Sequence, residues 1–240
     1  MQVKTKAIVL SAIKFQESSL IVKCFTQSDG LKSYFVRGAF AAKSAKLGGA
    51  KIAYFQPMTI LEIEAVHQNK GRLEHFKEIK IATPYQTIPT DVVKSSILLF
   101  LAELLQHSIQ EEEKNSDFFD FIESALIWLD THAYSANFHL VFLFETAKYL
   151  GFYPDVSEID LPYFSVQEGQ FSPVLTLGTL NEQETALFKR GLNLQFDSDQ
   201  KSFHVAERQQ LLTLIMDYYG LHLSGFKHPK SLEVLKAVFS

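Results

Sequence analysis

From its third residue the chain alternates. In Val3 to Phe15, Ser19 to Phe25 and Leu31 to Phe40, apolar or aromatic side chains occupy nearly every other position, with Lys or Arg between them. That is the period of half-buried strands. Gln16-Glu17-Ser18 and Ser28-Asp29-Gly30 supply the turns. Ala41 to Ala53 then has three lysines, two adjacent glycines and no apolar period, and is expected to be a mobile basic loop. Alternation resumes in Met58 to Val66 and, after a turn at Gln68 to Gly71, in Leu73 to Ala82. Five strands in about 80 residues match the size of an oligonucleotide-binding barrel. Lys32 and Arg37 differ in parity within the third strand, so a bulge near Ser33 or Tyr34 is expected.

The period changes at Thr83 to Pro89. From Asp91 onward Val93, Ile97, Leu98, Leu101, Leu104 and Leu105 recur at helical spacing, with Thr90 or Asp91 as the cap. Glu111-Glu112-Glu113 lies in a charged, solvated connector. Asp117 to Thr131 reads as a second helix and Ala136 to Leu150 as a third, which Gly151 ends. This third helix is so apolar that it belongs in the middle of its domain. Pro162 to Val174 reads strand, turn, strand, with Glu168-Gly169 at the bend, and helices follow at Thr179 to Arg190, Ala206 to Tyr219 and His228 to Phe239. The expected architecture is α+β. A five-stranded barrel fills residues 1–83, and a helical domain fills 84–240 with a β-hairpin inserted at about 160–175.

Composition adds limits. With 47% apolar and 21% charged residues the chain is globular, and no apolar run is long enough to span a membrane. The single cysteine, Cys24, rules out an intrachain disulfide framework and a thiolate metal cluster, and is read as a buried structural thiol. A cytoplasmic location is the expectation. Charge is more telling. Residues 1–83 hold 13 Lys and Arg against 6 Asp and Glu, and the remainder holds 10 against 21. A basic β-domain joined to an acidic helical one points to a polyanion as the partner of the first part.

No phosphate-binding glycine loop, nucleophile elbow or paired-histidine metal helix is present. No enzyme activity and no cofactor are expected. The binding residues converge on the barrel, where Lys4, Lys6, Lys14, Lys23, Lys32 and Arg37 supply charge, and Lys43, Lys46 and Lys51 add a basic arm. Phe15, Tyr34 and Phe40 are candidate platforms for bases. Single strands are held by such a combination of cations and aromatic rings. The alternative is an adaptor whose basic face takes an acidic protein.

The segments K-T-K-A-I-V-L-S (4–11), E-S-S-L-I-V (17–22) and T-x-S-D-G-L-K-S-Y-x-V-R-G (26–38) resemble the N-terminus of the RecO family. The likeness continues through Gln56-Pro57, Asn137-Phe138-His139-Leu140, Gly151-Phe152-x-Pro154, Tyr218-Tyr219-x-Leu221-His222-Leu223 and Lys230 to Leu235. It implies a recombination mediator that binds and anneals single-stranded DNA, works with RecR, contacts the C-terminal tail of single-strand-binding protein and helps load RecA recombinase. Double-stranded DNA is a further possible ligand. For the tail, Lys94, His139, Phe142 and Lys148 are nominated, a cation to meet the terminal carboxylate and a pocket to take a ring. Many members carry four zinc-binding cysteines that are missing between Pro154 and Thr179 here. The hairpin at Tyr163-Phe164 to Phe171 is expected to replace the metal with apolar packing.

Overall fold

A computed structural model describes residues 1–40, 52–68, 73–109, 113–133, 136–198 and 202–239. The chain forms two compact units, Met1–His132 with Pro229–Ser231, and Ala133–His228 with Leu232–Ser240.

In the first unit, strands β1 (Gln2–Phe15), β2 (Ser19–Thr26), β3 (Gly30–Val36), β4 (Ile60–Val66) and β5 (His75–Ile81) make one sheet in the order β3-β2-β1-β4-β5. All its ladders are antiparallel. The first half of β1 pairs with β4 and the second half with β2, and the register shifts between Val9 and Ser11. Such a bulge bends a long strand so that it can serve both sides of a barrel. The sheet closes where β3 meets the start of β5 in parallel: Phe35 N donates to Glu74 O at 2.9 Å, and Glu74 N to Ser33 O at 2.8 Å. Closure leaves neither β3 nor β5 as an open edge.

Val9, Val22, Cys24, Tyr34, Leu61, Ile63 and Phe76 fill the barrel. Tyr34 stacks on Phe76 with centroids 4.0 Å apart. Its hydroxyl lies 2.7 Å from His67 Nε2, and His67 Nδ1 lies 3.1 Å from Asp29 Oδ2. Asp29 N in turn donates to Thr26 Oγ1 at 3.1 Å, so the β2–β3 turn is tied to the inside of the barrel.

Two helices complete this unit. Helix α1 (Val92–Ser108) is capped by Asp91, which accepts from Val93 N and Lys94 N. Helix α2 (Ser116–Thr131) starts at Asn115, whose side chain accepts from Phe118 N. Phe118 and Phe119 of α2 lie 5.5 and 6.0 Å from Phe25, and Lys6 Nζ grips both carboxylate oxygens of Glu123 at 2.8 and 2.9 Å. This is why the compact unit runs past the prolines at 84 and 89 and takes in both helices: their apolar stripes are spent on the barrel. Asp130 secures the crossing by accepting from Gln86, Thr87 and Ile88 N at 2.8 to 3.0 Å.

The second unit is built on α3 (Phe138–Tyr149), which buries nine of its side chains, as so apolar a sequence requires. Gly151, at φ +80°, ends it: Phe152 N reaches back to Ala147 O and Gly151 N to Lys148 O. Helices α4 (Glu182–Leu192), α5 (Val205–His222) and α6 (Leu232–Val238) follow. The expected hairpin is the core of a three-stranded sheet, ordered β7-β6-β8, of β6 (Tyr163–Ser165), β7 (Gln170–Ser172) and β8 (Thr179–Leu180). Among the described residues no helix is long and apolar enough to cross a membrane.

Candidate nucleic-acid interface

Register decides which barrel side chains share a face. Ile13, Ile21 and Phe35 stand directly opposite one another across β1, β2 and β3, with Ser11, Lys23 and Ser33 in the next outward row. Phe15, two residues beyond Ile13, meets Phe35 edge-on at 6.1 Å, and Phe35 meets His75 edge-on at 6.2 Å. Ile13 is 59% exposed and Phe15 40%. Lys14 and Arg37 are exposed at the strand ends, and Lys14 Nζ sits 5.5 Å over the ring of Phe40, itself 44% exposed. Burial pulls the Lys23 ammonium below its ordinary range. No carboxylate occupies these outward positions; Glu17 in the β1–β2 turn is the nearest in sequence.

The opposite arc of the barrel differs. On β1, β4 and β5 the register sets Lys4 against Glu64, Lys6 against Glu62, Glu62 against Lys80 and Glu64 against Glu78. Lys4 Nζ lies 3.6 Å from Glu62. This arc is charge-balanced, so its lysines offer little to a polyanion.

Several sequence expectations are corrected here. Tyr34 is fully buried in the barrel core and cannot stack on a base; its outward neighbour Phe35 is half-buried. Lys32 shares Tyr34's inward parity and is 6% exposed. β3 pairs with β2 in unbroken register from Gly30 to Val36, without a bulge, and Arg37 follows just past its end. Lys6 is committed to Glu123. Lys43, Lys46 and Lys51 lie outside the described residues, as do most of the expected basic loop, residues 69–72 of the turn before β5, and Glu111 and Glu112 of the connector.

The four residues nominated for a protein tail do not form one exposed pocket. Lys94 belongs to the first unit and is buried, with Nζ donating to Thr87 Oγ1 at 2.7 Å and His132 O at 2.8 Å. His139 and Phe142 are buried in α3, and Lys148 pairs with Glu145 at 2.6 Å. What the second unit does assemble is a shallow notch lined by His139, Arg208, Leu212, Lys236 and Phe239, in which the His139 and Phe239 rings lie 5.0 Å apart. Burial, with the Arg208 charge beside it, holds His139 neutral down to about 3. Arg208, Lys236 and Phe239 are too distant in sequence for spacing to have joined them to His139.

The first unit also has an open groove of about 630 Å³, lined by Pro57, Ile81, Pro84, Tyr85, Ile88 and Leu98 among others. Among the described residues its lining carries no charge. In the second unit's sheet, Phe164 is fully buried. It stacks on Phe188 at 4.5 Å and touches Phe171 at 5.0 Å and Tyr218 at 5.9 Å. Among the described residues no group of three His, Cys, Asp or Glu could hold a metal ion.

A five-stranded barrel closed by a parallel β3–β5 contact, with helices behind it, is the setting for two family matches. Residues 1–85 match the family model described as Recombination protein O N terminal, and residues 89–233 that of Recombination protein O C terminal. The chain belongs to the RecO family. The DNA repair protein RecO of Flavobacterium johnsoniae is 63% identical over 240 residues, covering all of both chains. That of Flavobacterium psychrophilum is 62% identical over 241 residues and that of Christiangramia forsetii 39% over 241, again covering both chains fully. The RecO family's role is in DNA repair, and its N-terminal domain has the oligonucleotide-binding type of fold seen in this barrel.

Proposed function

We propose that the chain is a DNA repair and recombination mediator that binds single-stranded DNA on the outward face of β1, β2 and β3. One observation carries this reading: a row of exposed Ile13, Phe15 and His75 and half-buried Phe35 has Lys23 and Arg37 on its own face and Lys14 at the open barrel end beside it, with no carboxylate among them. Cations there neutralise phosphates and release counterions, while the rings and aliphatic side chains take base faces. Two strands neutralised on one protein repel each other less, which favours annealing. By family likeness the chain would act on the nucleoid in the cytoplasm with RecR, the single-strand-binding protein tail and, through them, RecA. The notch of His139, Arg208, Lys236 and Phe239 supplies the cations and ring that an acidic-aromatic tail needs. The chemistry proposed is binding, with no catalytic step.

The test is fluorescence anisotropy of a labelled mixed-sequence single strand, titrated at low and moderate salt. Salt-sensitive binding that Lys14→Glu with Arg37→Glu removes, in a protein still folded by circular dichroism, supports the assignment. A folded protein that binds no strand even at low salt overturns it, and the same face would then serve an acidic protein partner.

A further inference from the structure

The groove of the first unit is walled by Pro57, Ile81, Tyr85, Ile88, Leu98 and Leu99, with smaller and uncharged polar residues between them. They come from three stretches, residues 52–61, 81–90 and 95–102, that contain no Asp, Glu, Lys, Arg or His, although the whole chain is 21% charged. Neutrality is therefore a property of this site. Its walls are also fixed. Tyr85 Oη donates to Met58 O at 2.6 Å, Ser95 Oγ donates to Ile88 O at 2.7 Å, and Asp130 accepts from Thr87 N and Ile88 N. Ile81 and Leu99 remain exposed on it, at 39% and 46%. The volume of about 630 Å³ lies in the range of preformed ligand pockets. A charged occupant would lose its hydration here and find no partner, so the groove suits an apolar, uncharged one.

The second unit displays such a segment. Residues 169–181 carry no charge either. From the β7–β8 loop Val174 is 60% exposed, Leu175 57% and Leu177 fully. Among the described residues no other stretch exposes three large apolar side chains within four positions. Clustered exposed aliphatics mark a contact surface where single ones do not. The loop holds them out with its own hydrogen bonds. Ser172 Oγ donates to Val174 O and accepts from Val174 N, both at 3.1 Å. Thr176 N donates to Thr179 Oγ1 at 2.8 Å, and Gly178 O accepts from Val166 N at 3.1 Å. The cation over Phe171 of this sheet, Lys189, is already bonded to Leu161 O at 2.8 Å.

We propose that the β7–β8 loop of one molecule seats Val174, Leu175 and Leu177 in the uncharged groove of a second molecule. One chain supplies both halves, a convex apolar loop and a concave apolar wall, each held in shape before they meet. Little ordering entropy is left to lose on docking. The contact joins two different patches and is heterologous. One loop in one groove covers less than the roughly 1,200–2,000 Å² of a stable interface, so the association is weak and reversible. It uses neither the β1–β3 face nor the notch at His139, and stands independently of the DNA reading.

The measurement is sedimentation velocity of the full chain, from about 1 μM to about 300 μM, a range that reveals weak contacts. The sedimentation coefficient is expected to rise with concentration. Moderate sodium chloride should not reverse the rise, because no charges meet, and a single-stranded oligonucleotide should not compete with it. Leu175→Ser with Leu177→Ser, and separately Leu99→Glu, should each weaken association about tenfold or more, the scale of losing a buried aliphatic anchor. All three positions are exposed, so circular dichroism should not change. Mixing the two variants should restore a pair, because each keeps the half that the other lost. A wild-type protein that stays monomeric across the series overturns the proposal. So does undiminished association of either variant, a mixture that forms no pair, or an association that salt abolishes.

Discussion

In the barrel, the largest buried ring keeps a polar tip in play: Tyr34 stacks on Phe76 while its hydroxyl joins His67 and Asp29 in a chain that leads to the β2–β3 turn. In the sheet of the second unit, Phe164 is buried just as completely, but among Phe171, Phe188 and Tyr218. The difference follows from what each sheet can do for itself. Five strands closed on one another satisfy their own backbone, so the barrel can accommodate polar groups that fix the geometry of its turns. Strands of three, three and two residues cannot stand alone, and need either a metal or a dense apolar anchor. With Cys24 the only cysteine, this chain uses the anchor.

The sharpest way to break the contrast is to remove the anchor. Phe164→Ala should cost about 3–5 kcal/mol, the range for emptying a buried aromatic site. Denaturant unfolding should show that loss, and a metal chelator should change neither the wild-type nor the variant curve. A chelator-sensitive wild-type midpoint would mean that the sheet is held by something other than Phe164 and its neighbours.

The two units also differ in how they bury a histidine. His67 sits between Tyr34 and Asp29, whereas His139 is desolvated in α3 beside Arg208 and is brought from the ordinary 6.5 down to about 3. Between those two values the unfolded chain binds a proton that the folded chain refuses. Stability therefore falls as pH drops through that window, by at most about 1.4 kcal/mol per pH unit. Urea unfolding between neutral pH and about pH 5 should show this slope, and His139→Gln should flatten it. For Asp130, burial raises the carboxyl but the amides of Ile88, Gln86 and Thr87 more than offset it, and it lies below its ordinary 3.8. Its contribution is complete above that value and is lost only in stronger acid, so its window opens at the acid end of the His139 window and extends below it.

Within the barrel, Tyr34→Phe keeps the stack on Phe76 and deletes only the hydroxyl. It should cost about 1–3 kcal/mol by leaving the buried His67 nitrogen without its partner. Single-strand affinity of the folded variant should not change. A loss of affinity with no loss of stability would return Tyr34 to the binding face and contradict its placement in the core.

Much of this was legible in the residues. The alternation of the first forty and Gly151 as the end of α3 carry local signals that tertiary structure did not overrule. The binding face was legible only in outline. Charge excess marked the barrel as basic, but Tyr34 and Phe35 are adjacent, equally aromatic and opposite in direction. Deciding between them needs the register, which the Val9/Ser11 shift in β1 helps to set and which no composition reveals. Lys4 and Lys6 looked equivalent to Lys14 for the same reason, since Glu62 and Glu123 are brought to them by strands and helices far along the chain.

That last pair gives the finest test of the two arcs. Lys14, in register with Leu20, is exposed at the open end of the barrel beside the β1–β3 face and has no carboxylate opposite it, whereas Lys4 is already opposed by Glu62 and Glu64. A lysine that meets a phosphate contributes about one unit to the dependence of log affinity on log salt. Lys14→Glu should therefore lower single-strand affinity and flatten the salt slope by about one. Lys4→Glu should leave the slope where it was, because the cation it removes was neutralised before any DNA arrived. Phe35→Ala should act differently again, losing about 1–3 kcal/mol of affinity with an unchanged slope, as a stacking contact does. Equal slopes for the Lys4 and Lys14 variants would show that the strand does not distinguish the arcs, and the single-face assignment would have to be given up.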